Sequence, residues 1–175
     1  MQQIRPQRNT DYELEIFTTG GTIDKVYFDA KSTFEVGESP ILEVLHEANL
    51  CIDYQITAVL RKDSLELTDA DRALVRQAVL NSTASRIVIT HGTDTMIATA
   101  QALAGIPGKT IVLTGSMQPA RFRLTDAVFN VASAMMAAQT LLEGVYIAMN
   151  GRIFDPDKTR KNIEQNRFEP INDKA

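Results

Sequence analysis

The chain has one cysteine, no tryptophan, two histidines and fewer basic than acidic residues. Cys51 alone cannot close a disulfide within the chain, and His46 and His91 make no metal-ligand spacing. The fold is therefore expected to rest on an apolar core, without a covalent or metal staple. A formal charge of -4 and a pI near 5.2 argue against a nucleic-acid partner, which needs a basic stripe to neutralise phosphates, and against an anionic membrane surface. No apolar run is long enough to span a bilayer, and residues 1–13 are polar and lack the apolar core of a signal peptide. These absences lead us to expect a soluble, cytoplasmic protein. At 175 residues it can form a single domain, 1–175, large enough to bury roughly 70% of the surface of its unfolded form. A polar arm at 1–13 and a charged, irregular tail at 155–175 are expected to flank the core.

What is present is an alternation of short apolar strands with amphipathic helices. Leu14 to Thr18 reads as the first strand, running into the turn Thr19-Gly20-Gly21-Thr22-Ile23. Asp24 to Glu38 is polar and aperiodic, a long loop of the kind that serves as a lid or binding loop. Ser39 is placed to cap a helix begun by Pro40, with Ile41, Leu42, Leu45 and Ala48 as its apolar stripe. Ile52 to Leu60 alternates as a strand with one face better buried, and Thr68 with Asp71 resembles a capping box for a helix toward Asn81. Ile87-Val88-Ile89 and Thr110 to Leu113 are continuous apolar runs, as strands covered on both faces should be. Helices are expected from Thr95 to Ala104 and from Thr125 to Leu142. Val145 to Met149 is the last core strand, and the Asn150-Gly151 turn sends Arg152-Ile153-Phe154 back beside it. Strands separated by helices imply βαβ units, and so an α/β fold: three-layer, doubly wound and mostly parallel, of the flavodoxin or Rossmann type, with a C-terminal hairpin.

Three strands end in a glycine beside a hydroxyl, at Gly21-Thr22, Gly92-Thr93 and Gly115-Ser116. Open α/β sheets bind ligands at the carboxyl ends of their strands, so this fold would gather the three turns on one edge as a small-molecule site. Glycine, serine and threonine also serve such turns as caps, and Asp94 reads equally as the N-cap of its helix or as a carboxylate for an ammonium group. His91, one residue past a buried strand, reads as a structural histidine at least as well as a base.

Thr19-Gly20-Gly21-Thr22-Ile23 followed by His91-Gly92-Thr93-Asp94-Thr95-Met96 resembles the pair of signature motifs of the bacterial-type L-asparaginase family, in the same order and at a similar separation. Asp63-Ser64-Leu65-Glu66-Leu67, Gly115-Ser116-Met117-Gln118-Pro119 and Lys161 are weaker matches, and the similarity runs from about Ile16 to Phe168. The resemblance implies an amidohydrolase that cleaves the side-chain amide of L-asparagine, or of L-glutamine, with neither metal nor organic cofactor. It implies Thr22 as nucleophile, and a second hydroxyl at Thr93 working with Lys161 and Asp94. Substrate would be held by Ser64 at its α-carboxylate and by Asp94 at its ammonium group, and the backbone N–H groups of the turns at Gly21 and Gly92 would receive the oxyanion. A lysine takes a proton from threonine only when partly neutral, which a neighbouring aspartate opposes, so Lys161 is expected to act more by placing Thr93 and a water.

Two departures from the family pattern stand out. The family's loop tyrosine precedes a Val-Gly pair, but Val36-Gly37 follows Phe34 here, leaving Tyr27 as the candidate phenol. Typical members also continue into a smaller C-terminal domain that builds the dimer and lends an acidic residue to the neighbouring site. A short, single-domain form is therefore expected to assemble as a homo-oligomer through another surface. The alternatives are a non-catalytic module that binds a small amino acid through Ser64 and Asp94, and an amidase component completed by a partner chain.

Overall fold

A computed structural model of the chain describes residues 12–28 and 33–171. The first strand, β1 (Leu14–Gly20), is followed by a 3₁₀ turn at Thr22–Asp24 and by an antiparallel hairpin, β2 (Lys25–Phe28) with β3 (Thr33–Val36). Then come α1 (Ile41–Glu47), β4 (Tyr54–Lys62), a 3₁₀ turn at Ser64–Glu66, α2 (Asp69–Asn81), β5 (Arg86–Thr90), α3 (Met96–Ala102), β6 (Thr110–Thr114) and α4 (Ala127–Thr140). The chain continues with β7 (Gly144–Met149), β8 (Arg152–Phe154), a 3₁₀ turn at Pro156–Lys158, and a second antiparallel pair, β9 (Thr159–Asn162) with β10 (Arg167–Pro170).

Six strands form the main sheet in the order β4-β1-β5-β6-β7-β8, all parallel except the pairing of β7 with β8. Among the parallel strands this is the flavodoxin order, and its chain path reverses direction between β1 and β5. The pleat sends alternate residues to opposite faces. Phe17, Ile87, Ile89, Ile111 and Leu113 pack under α2 and α3 with Val75, Val79, Met96 and Leu103. Ile16, Val88, Val112 and Ala148 pack on the other side, against α1 and α4, through Ile41, Leu45, Val131 and Ala134. Each fully buried aliphatic side chain contributes about 1.5–3 kcal/mol, so these two layers hold the sheet rigid beneath its loops. The three-layer, doubly wound fold with a terminal strand hairpin is thus as expected. Among the described residues, no helix is long and apolar enough to cross a membrane.

Three local expectations are corrected. The stretch 24–38 is not a bare loop, because β2 and β3 pair there as a flap. Ser39 does not cap α1, whose N-cap position is Pro40 without a side-chain bond; the Ser39 hydroxyl donates instead to Asp24 Oδ1 at 2.6 Å. The segment expected to be an irregular tail carries β9 and β10, tied to the core by Phe168, which is 3% exposed and packs on Phe154. The capping box of Thr68 and Asp71 forms as read, and Lys62 adds two hydrogen bonds to the same carboxylate, helping to hold Asp71 down at a pKa of about 2.

Candidate active site

The carboxyl ends of β1, β5 and β6 come together at the reversal of the chain path. Glycine is required at their meeting points. A Cβ on Gly21, which has φ +89°, would land on the Cα and nitrogen of Gly92, one on Gly92 would meet Oγ and Cβ of Ser64, and one on Gly115 would strike the His91 carbonyl. The first two motif turns and the Ser64 turn therefore touch backbone to backbone or backbone to side chain, and the Gly115 turn closes on them through His91. Gly21 N–H donates to Lys62 O at 3.0 Å, and the Thr95 hydroxyl donates to Ser64 O at 2.7 Å, which fastens β4 and the Ser64 turn to both motifs.

Thr22 opens the 3₁₀ turn after β1 and is half-buried. Thr93 is 4% exposed and Ser64 2%. Lys161 reaches in from β9: its Nζ donates to Thr93 Oγ1 at 2.8 Å and to Asp94 Oδ1 at 2.6 Å. The lysine side chain is 16% exposed and the aspartate 41%, so the pair sits at the mouth of the crevice, partly screened by water. Because Lys161 acts as donor to Thr93, the hydroxyl proton of Thr93 is available to a second acceptor. Thus Thr22, Thr93, Asp94, Lys161, Ser64, Gly21 and Gly92 all lie on, or reach, the same sheet edge. Tyr27 stands opposite Phe34 in the flap register, but its side chain lies outside the described residues. The Phe34 ring packs against Phe122, with centroids 6.0 Å apart.

His91 is structural. It is fully buried, its Nδ1–H donates to Gly92 O at 2.7 Å and its Nε2 accepts the Thr99 hydroxyl at 2.8 Å. Burial disfavours its charged form and brings its pKa down to about 4 against a countervailing backbone hydrogen bond, so the ring is neutral at ordinary pH.

Several supporting residues were not legible in the sequence. Asp126 accepts the N–H groups of Met117 and Gln118 at 3.0 and 3.1 Å, and Asn130 Nδ2 bridges Asp126 Oδ2 and Gly115 O, which together fix the third turn. Lys25 of β2 pairs with Asp63 at 2.7 Å, joining the flap to the Ser64 turn, while the Asp63 carboxylate also accepts Leu65 N–H. Burial works to raise the Asp63 pKa, but these donors outweigh it and hold it below its ordinary value. An aspartate at the start of a predicted helix was the one available signal for Asp126, Asp63 was marked only as the first residue of the Ser64 match, and nothing local marked Asn130.

Known proteins resemble the chain in sequence and in fold. The family described as Asparaginase, N-terminal, matches residues 13–173. An L-asparaginase of Thermococcus kodakarensis is 30% identical over 174 residues, covering 91% of this chain and 51% of that protein. One of the subunits of the glutamyl-tRNA(Gln) amidotransferase of Methanococcus vannielii is 45% identical over 74 residues, covering 41% of this chain and 17% of that one. Among solved structures, the thermostable L-asparaginase from Thermococcus kodakarensis superposes with a TM-score of 0.80 at 28% identity, over 90% of this chain and 50% of that one. The chain thus spans about half the length, or less, of the curated relatives it matches.

Proposed function

The chain belongs to the asparaginase family through its N-terminal domain, and from that premise we propose that it is an amidohydrolase converting L-asparagine to L-aspartate and ammonia. The observation that carries the reading is the convergence of Lys161 on Thr93 Oγ1 and Asp94 Oδ1 from the far end of the sequence, beside the turn that presents Thr22. In this reading the Thr22 hydroxyl oxygen attacks the side-chain amide carbon, and its proton passes to the departing amine. The C–N bond breaks, ammonia leaves, and an ester on Thr22 remains. A water held by Thr93, which Lys161 keeps in place, then adds to the ester carbon, returns a proton to Thr22 and releases the carboxylate. Ser64, buried against Gly92, would face the α-carboxylate, Asp94 the α-ammonium, and N–H groups of the Gly21 and Gly92 turns the developing oxyanion, each such donor worth about 3–4 kcal/mol. The same site would accept L-glutamine if its crevice admits one more methylene. We place the protein in the cytoplasm, as a homo-oligomer.

The local similarity to an amidotransferase component supports a second reading, in which the same threonine chemistry acts on an amide with a partner chain completing the site. Ammonia release from asparagine and glutamine by the purified chain, compared with Thr22→Ala, Thr93→Ala and Lys161→Met, tests both. Release lost by a factor of about 10² or more in each variant supports the first reading. Release only on adding a partner supports the second, asparagine binding without release points to a binding module, and full activity in Thr22→Ala overturns the mechanism.

A further inference from the structure

The turn that carries Thr22 begins with two glycines at positive φ, Gly20 at 99° and Gly21 at 89°. Backbone of that kind is free to move unless both of its ends are held. Asp24, two residues beyond Thr22, holds both. The residue is 2% exposed; its carboxylate accepts the Ser39 hydroxyl at 2.6 Å, and the backbone N–H of Gly20 lies near enough to favour its charge. Its own N–H reaches Gly21 O at 3.1 Å, and its carbonyl accepts Gly37 N–H at 2.8 Å. One residue thereby closes the loop around Thr22 and fastens it to the segment where β3 leaves the flap.

The surroundings do not favour a charge there. Asp24 lines a cleft of about 700 Å³ between β4 and α1, together with Thr18, Ser39, Tyr54, Ile56 and Leu60. The facing cation is Arg61, which is itself drawn to Glu38 at 3.7 Å. Burial pushes the carboxyl pKa up to about 6, with the Ser39 hydrogen bond, Arg61 and the Gly20 N–H pulling it back. An ionised group in this place costs the fold stability. A residue serving the fold alone would do better neutral, yet the ionised carboxylate is the stronger acceptor for the Ser39 hydroxyl and the better counterpart to the Gly20 N–H.

We infer that Asp24 is a positioning residue, whose ionised carboxylate, held by Ser39, and whose backbone bonds to Gly21 and Gly37 clamp the Thr22 turn and the root of the flap into one arrangement. Its bearing on catalysis rests on the reading of Thr22 as nucleophile; the clamp itself does not. Asp24→Asn removes the charge and leaves Ser39 a weaker, neutral acceptor, and Ser39→Ala removes the flap side of the clamp.

The test measures three quantities on the full chain: ammonia release from asparagine, the thermal midpoint, and hydrogen exchange in peptides covering residues 19–24 and 33–38. At alkaline pH, Asp24→Asn should melt no lower than the wild type, while kcat falls about tenfold or more with little change in KM, as expected when orientation of the nucleophile is lost. Wild-type kcat should fall as Asp24 is protonated, an acid limb near pH 6 that Asp24→Asn lacks. Exchange corrected for intrinsic rates should rise in both peptides together in both variants. Unchanged exchange in either peptide, unchanged kcat, or a loss of activity accompanied by a lower melting point overturns the inference. If the wild type alone releases no ammonia from either amide, the reading as a free-standing asparaginase fails, and the exchange measurements alone decide whether the clamp exists.

Discussion

Removing the charge at Asp24 should uncover an acid instability that the wild type conceals. Asp24 and His91 titrate over the same range with opposite consequences. The folded protein holds the Asp24 proton up to about pH 6, whereas the unfolded chain releases it at about 3.8. Between those values the folded state binds more protons, so stability falls as pH rises, and above pH 6 the full penalty is present. At about 1.4 kcal/mol per tenfold difference in proton affinity, that penalty is about 3 kcal/mol. His91 runs the other way: unfolded it takes up its proton at about 6.5, folded only at about 4, so stability is lost as pH falls through that window, also by about 3 kcal/mol. The two nearly cancel in the wild type, which should keep a flat stability between pH 6.5 and 4. Asp71 joins only at lower pH, because its carboxylate is held at about 2. In Asp24→Asn the compensation is gone. Urea unfolding followed across the window should show the variant above the wild type at neutral pH, by about 3 kcal/mol less about 1 for the hydrogen bond weakened, and then falling by about 3 kcal/mol toward pH 4. A variant that parallels the wild type at every pH, or a wild type that itself loses that amount in the window, refutes the reasoning.

Two further outcomes test how the turns are packed. Gly92→Ala must displace buried Ser64, so it should cost about 1–3 kcal/mol in urea unfolding and raise KM for asparagine more than it lowers kcat. Asp126→Ala strips a charged acceptor from Met117, Gln118 and Asn130, and should lower stability by about 1.5–3 kcal/mol, with the gain in hydrogen exchange concentrated at residues 115–118.

The strands, the helices and their doubly wound arrangement could be read from periodicity, because covering both faces of a parallel sheet forces continuous apolar runs such as Ile87-Val88-Ile89. The glycine turns could be read too, since their hydroxyls follow directly on those runs. Lys161 could not be placed from local pattern: it sits among Lys158 and Arg160 like any solvated lysine, and a likeness to a family singled it out before the fold carried β9 to within 2.8 Å of Thr93. The flap was hidden because its strands are only four residues each, interrupt their apolar side chains with Lys25 and Glu35, and have no two-residue turn signal between them. Ser39 shows the limit most plainly. Beside Pro40 its hydroxyl looked like a helix cap, a local bond any such sequence can make, but tertiary folding offered it a buried carboxylate on another turn, and a charged acceptor in a dry place outcompetes a neighbouring N–H. The sequence by itself determined which residue types line the edge of the sheet. Only the tertiary structure decided which of them share a proton donor, because that depends on distances across 67 residues or more of chain.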